Sequence, residues 1–481
     1  MALTEQQEKV LVEIIEAYGN GKRLSDLPDV KGTNPMALLC EVLDEDGESK
    51  KAAVASLLPY LEEDCSYGIE FDTEVSSPTC VRIGNSDLHR RLPVQSRMRG
   101  CLLDDDGRVV EYLNPQDWRG NVLDGSRGQV MVEIPMHYRK FETDGTKRRV
   151  RLSELPLAGY HVVPKAYVSA YEATVERSTL KLASVKNVSA EYRGGNNNAD
   201  WDGGYRSLLG KAATSLSRTQ CRNYARKRKE GSVEWNCLTY GVYKSLYWLF
   251  VVEYATLNSQ LAFNAEPTDE GYRQGGLGEG VTNINGDKWN AFNSYYPFIP
   301  CGYTDALGNG SGEVEYVMPT EYDSENQLVV KVNRYRGIEN PFGHIFKWAD
   351  GINIRISANV ENGGDGESRV MVCDDPASYV DNGYDNYRHV GNAARVEGYV
   401  KKVIFGEEGD IVVSEVGGGS SIYHCDNSYT NVPASGESLR GALFGGYANS
   451  GAIAGLACVH SSSAPSLSRA YFGSRLCFNP R

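Results

Sequence analysis

From about residue 260 onward the chain is dominated by clusters of Gly, Asn, Asp and Tyr, such as QGGLGEGVTNINGDKWNAFNSYYP (274–297) and ENGGDGESR (361–369). Loops this long in a compact chain are functional or tied down by a scaffold, because free backbone carries polar groups that must be paired or solvated. The scaffold is legible as short apolar runs: IFKWADGINIRI (345–356), YVKKVIFG (399–406) and LRGALFGG (439–446). The pattern predicts a loop-rich α+β fold on a small antiparallel β framework.

Upstream, GQVMVEIPMHYRKF (128–141) alternates Val130, Val132 and Ile134 to one face, and AYVSAYEATVER (166–177) alternates again, as strands do. Two helices are expected next. Ser217 caps RTQCRNYARKRKEG, running to Gly231, and Thr239 caps YGVYKSLYWLFVVEYATLNSQ, with Tyr243, Leu246, Tyr247, Phe250 and Tyr254 on one face. The basic residues Arg222, Arg226, Lys227, Arg228 and Lys229 read as a solvated helix face, with a phosphate or lipopolysaccharide contact as the alternative.

The first 65 residues differ in texture. Leu11, Ile14, Ile15 and Tyr18 recur at helical spacing until Gly19 and Gly21, and Asp46-Gly47 between alternating segments signals a hairpin. This stretch is read as an N-terminal attachment and oligomerisation module (1–65), followed by a small β-rich segment (66–125) and the main domain (126–481).

The formal net charge of −13, with no long Lys/Arg stripe, argues against nucleic acid as a partner. No apolar run of spanning length occurs, so no membrane insertion is expected, and the polar start does not read as a secretory signal. Eleven cysteines, scattered from Cys40 to Cys477 without a CxxC pair, read as buried small hydrophobes.

Three segments, in order, resemble the formylglycine-generating-enzyme type of C-type lectin fold. YVSAYEATVER is similar to its strand carrying E-V-T, RGIENPFGHIFKWADG (336–351) to its G-L-x-D-M-x-G-N-V-W-E-W segment, and LRGALFGG with FGSRLCF to its R-G-G-S-W and closing G-F-R. In such a fold Phe346 and Trp348 would fill the core, Gly445 and Gly446 would permit close backbone approach, and Arg475 would anchor loop carbonyls. The enzymes of this family hold copper with a thiol pair before the closing motif. Here that segment holds only Cys458, with Ile453 five residues earlier, so the resemblance implies the fold without the chemistry. No HExxH, GxSxG or phosphate loop is present, and the histidines, among them His137, His344, His424 and His460, lack metal-ligand spacing. No cofactor is expected; ENGGDGESR and DALGNGSGE (305–313) leave room only for a structural calcium.

Residues 445–481 contain no Lys, Glu, Gln, Met or Trp, although roughly six would be expected from their share of the chain. These five types share one property: none has a codon ending in a pyrimidine. Codons that began as AAC or AAT and had only their adenines rewritten would reach Tyr, Asn, Ser, Ile, Cys, His, Leu, Arg, Phe and Val, but never those five. Variable proteins of diversity-generating retroelements, which carry a C-type lectin fold and a C-terminal variable segment, are similar to this chain in that respect.

The resemblance assigns 445–478 as the variable region. Its ligand-binding residues would be Tyr447, Asn449, Ile453, Cys458, His460, Ser462, Ser463, Leu467, Arg469 and Tyr471, all expected to be exposed, with Gly451, Gly455, Pro465, Gly473 and Arg475 among the fixed residues. The function it implies is that of a phage or prophage tail-fibre receptor-binding protein, made in the host cytoplasm and carried on the virion. It would not be an enzyme; it would form a homotrimer, bind a host cell-surface protein or glycan, and join other fibre proteins through its N-terminal module. The alternatives are an oxidase or iron enzyme of the formylglycine-generating superfamily and a bacterial surface lectin-like adhesin.

Overall fold

The computed structural model describes residues 39–43, 49–53, 62–186, 189–196 and 206–480. The expected helix over 11–18 lies outside them. The Asp-Gly hairpin signal is flanked by strands Leu39–Leu43 and Ser49–Ala53, paired antiparallel with Leu43 opposite Ser49.

The β framework is larger than expected and is built from both ends of the chain. A six-stranded sheet runs in the order Trp235–Cys237, Leu476–Phe478, Ala166–Ser169, Gln129–Ile134, Arg99–Leu103, Val109–Tyr112. The last strand of the chain is therefore an interior strand, gripped by Tyr167 and Trp235, which both lie opposite Phe478. A five-stranded sheet pairs Tyr67–Asp72 with Lys147–Ser153 and Val81–Gly84. The largest sheet holds Phe346–Ser357 at its centre, flanked by Ser368–Val372 and Glu437–Gly445, and continues through Gly455–His460 and Asn427–Tyr429 to Gly398–Phe405. It is not purely antiparallel: Ser428 and Tyr429 run parallel to Val459 and His460, and Phe346 and Lys347 run parallel to Phe472 and Gly473.

Strands from 66–125 thus pair with strands from 129–169, and Tyr67, Val94, Leu102 and Trp118 share one buried cluster with Ile352, Phe444 and Val459. The stretch is woven into the main body. The boundary at residue 65 also cuts through contacts, because Glu62 and Glu63 of the short helix Glu62–Cys65 pair with Lys140 (3.1 Å) and Arg151 (2.6 Å).

Both expected helices form at the expected caps and end early. Ser217 makes a reciprocal capping box with Gln220, and the helix Arg218–Arg226 stops as Arg228 turns inward to Asp105 and the Leu182 carbonyl. Thr239 caps Tyr240–Tyr254, where Ala255 takes a left-handed φ of 52° and its carbonyl is claimed by the Cys80 N–H at 2.8 Å. This helix does not have one buried face: every residue but Gly241 is buried. It runs between two sheets, with Trp248 against Phe141 (5.7 Å between rings) and Phe405 (5.6 Å), and Tyr243 against Phe444 (4.6 Å). A further helix, Gly286–Asn293, capped by Asn285, arises inside the stretch that read as irregular.

The basic residues divide: Lys227 is exposed and Arg226 and Lys229 are half-buried, while Arg222 and Arg228 turn inward instead of forming a solvated face. Arg222 makes a two-pronged pair with the buried Asp350 (2.6 and 2.8 Å) and reaches Asp381, which Arg218 also holds. Burial would raise the Asp381 carboxyl, but Arg218 and Arg222 outweigh it and hold the group at about 2. Buried charges persist only when paired in this way.

Candidate ligand-binding surface

The C-terminal segment is pinned at intervals to the largest sheet and emerges between the pins. Phe346 and Trp348 are 2 % and 0 % exposed, and they form the floor. The Gly441 N–H donates to the Ser463 carbonyl, and the Arg218 N–H to that of Pro465. Gly446, at φ 74°, could not carry a Cβ, which would lie 2.8 Å from that of Ala454. Arg475 is buried and donates to the carbonyls of Ser169 (3.0 Å), Asn340 (2.7 Å) and Glu339. It is the internal anchor expected of it, tying the start of the last strand to the ends of strands Ala166–Ser169 and Ile338–Glu339.

Two loops lie between these pins, 446–454 and 461–471. Asn449 and Arg469 are exposed, and Tyr447, Ile453, His460, Ser462, Leu467 and Tyr471 are half-buried. Two residues of the expected set turn inward. Cys458 is fully buried on the interior strand Gly455–His460, and Ser463 is 6 % exposed where its carbonyl pairs with Gly441. The expectation of an exposed Cys458 is therefore corrected: side chains on a strand alternate, and Cys458 faces the core cluster with Trp348, Leu443 and Phe472. Burial pushes its thiol well above the ordinary range, so it is no reactive thiolate.

The structure brings three of the sequence-assigned residues together. Tyr447 and Tyr471 stack at 4.8 Å and 20°, Tyr447 stacks on Phe346 at 5.2 Å, and His460 packs edge-on to Phe346 at 5.3 Å. The His460 Nε2 lies 3.2 Å from the Ser462 hydroxyl, while its Nδ1 has no partner among the described residues, and burial lowers the imidazole to about 4. It is neutral at physiological pH.

Three residues outside the segment pack against it and were not found from sequence. Trp289, fully buried on the Gly286–Asn293 helix, packs against Tyr447 (6.1 Å) and Tyr471 (6.3 Å). Tyr295 meets Tyr471 edge-on at 6.0 Å, and Tyr429 lies 5.6 Å from His460. The one available signal was the string WNAFNSYYP, whose aromatic density exceeds what a plain loop needs.

In the loops considered for calcium, the aspartates are paired. Asp365 pairs with Arg355, and Asp305 accepts from Tyr171 at 2.8 Å and pairs with Lys186 at 3.2 Å. Among the described residues, no group of three or more His, Cys, Asp or Glu side chains is placed to hold a metal ion, and no helix is long and apolar enough to cross a membrane.

No family model and no curated protein matches the chain. Among solved structures it is similar to the Major Tropism Determinant U1 Variant, at 11 % identity and a TM-score of 0.21, over 91 % of this chain and 94 % of that one. It is similar also to the Major Tropism Determinant M1 Variant, at 9 % identity and a TM-score of 0.22, over 91 % and 93 %.

Proposed function

We propose that this chain is a receptor-binding protein that displays a diversified surface, built from residues 445–478 on a C-type lectin scaffold, at the tip of a phage or prophage tail fibre. One observation carries the reading: the segment that lacks every residue type without a pyrimidine-ending codon is also the segment whose unpinned side chains reach solvent. Random replacement is tolerable only where a side chain contributes little to packing, and a surface of Tyr, Asn, Ser and His suits adaptable recognition. No catalytic group is required. In this reading residues 1–65 join the fibre, and a homotrimer multiplies weak contacts through effective concentration.

The test is the DNA beside the gene. The expected finding is a near-copy of the 3′ end with adenines at the codons for Tyr447, Asn449, Ile453, His460, Leu467, Arg469 and Tyr471, next to a reverse-transcriptase gene. A gene without either would remove the retroelement from the reading.

A further inference from the structure

The aromatic patch has a chemical polarity that its composition alone does not reveal. Trp289 is the hub of three tyrosines, with ring centroids 5.5 Å from Tyr295, 6.1 Å from Tyr447 and 6.3 Å from Tyr471. Tyr295 is presented by an unusual turn. Ser294 ends the Gly286–Asn293 helix at φ 57°, and Tyr295 follows at φ 65°, so two successive residues with side chains sit in the left-handed region. Such a conformation is strained for residues with a Cβ and persists where the surroundings impose it, often at functional sites.

The three hydroxyls find no hydrogen-bond partner among the described residues, and none is sealed away from solvent. Burial first, and then the neighbouring phenols, raise Tyr447; burial raises Tyr471 against the opposing charge of Arg469. Both therefore remain neutral O–H donors. Arg469 is exposed and has no acidic partner among the described residues, and residues 445–481 contain no Asp or Glu to supply one. Unlike Arg222, which pairs with Asp350, or Arg336, which pairs with Glu253, Arg469 keeps its charge available.

We infer that Tyr295, Tyr447, Tyr471 and Arg469 form a donor-lined patch that captures a carboxylate of an acidic side chain on a receptor protein, with Tyr295 as a binding residue outside the variable segment. The inference rests on the receptor-binding reading and adds its ligand chemistry. Phenol and guanidinium donors without competing acceptors suit a carboxylate, and bonds to a charged acceptor are the strong ones. A protein receptor fits better than a hydrated polysaccharide, because half-exposed Ile453 and Leu467 share the two loops, and Tyr with Arg on an apolar base is the composition of protein-interface hot spots.

The test uses the full chain against a library of displayed peptides, with alginate and hyaluronate run in parallel. Selected peptides are expected to be enriched in Asp and Glu, and to lose at least tenfold in affinity when these become Asn and Gln. The triple variant Tyr295→Phe, Tyr447→Phe, Tyr471→Phe keeps every ring and is expected to keep its melting temperature while losing at least tenfold in affinity; Arg469→Gln should lose affinity and salt dependence together. Acid-indifferent peptides, or binding of the acidic polysaccharides in place of peptides, would overturn the inference. So would undiminished binding by the triple Phe variant; if the matching Ala variants then abolished binding, the receptor-binding reading would survive and only the carboxylate would fall.

Discussion

Gly455 and Asp426 are locked together at the start of the strand Gly455–His460. A Cβ built on Gly455 would lie 2.1 Å from Asp426 Oδ1, and the same carboxyl accepts the Ala457 N–H at 2.6 Å. With Gly455 at φ 147°, only glycine satisfies both the backbone and the contact. Gly455→Ala is therefore expected to destabilise the fold by about 2–4 kcal/mol, read by urea unfolding. A cost below that of an ordinary surface change would show that Asp426 moves freely.

Asp426 also carries a pH signature. Burial raises its carboxyl well above the ordinary 3.8, so between that value and the raised one the folded state holds a proton that the unfolded state has lost. Its contribution is fully present below about pH 4 and declines as pH rises. Asp426→Asn cannot ionise, so its stability relative to the parent should increase with pH above 4, with a slope approaching about 1.4 kcal/mol per unit. A pH-independent difference would mean that the carboxyl ionises normally.

Buried histidines act in the opposite direction. His137 and His424 are each lowered by burial to about 4 from 6.5, so unfolding takes up protons between these values. The stability they confer is full above about pH 6.5 and is lost as pH falls toward 4. Replacing His424 by Asn should lower the proton uptake on unfolding at pH 5 by about one, as measured by the pH dependence of the unfolding midpoint.

Cys458→Ser distinguishes the corrected placement from the expected one. As a surface residue it would change stability by about 0.5 kcal/mol at most. Buried on its strand, it is expected to cost about 1–3 kcal/mol, because the serine hydroxyl enters an apolar cluster.

Two arginines six residues apart should behave as opposites. Arg469→Ala is expected to leave stability within about 0.5 kcal/mol and to reduce binding, whereas Arg475→Ala should cost about 3 kcal/mol or more by orphaning buried carbonyls. Equal stability losses in thermal unfolding would contradict the division into displayed and anchoring residues.

The caps at Ser217 and Thr239 and the strands around Val130, Ile352 and Ala442 were legible because each is a local rule, a side-chain oxygen before an apolar run or a two-residue period, whereas the anchor Arg475 was legible only through the resemblance of FGSRLCF to a family's closing motif. The missing residue types in 445–481 were likewise a property of the string alone. What the string could not show is which partners distant segments choose. Cys458 and His460 are two positions apart on one strand and share a face in principle, yet Cys458 is sealed while His460, at the end of the strand, is only half-buried. The basic helix looked solvated because Asp350 and Asp381, its counter-charges, lie more than a hundred residues away. Trp289 and Tyr295 joined the surface for the same reason. Local sequence sets backbone preference and charge within a few residues, but burial and pairing are decided by contacts between segments whose separation along the chain carries no local signal, and only the tertiary fold brings those together.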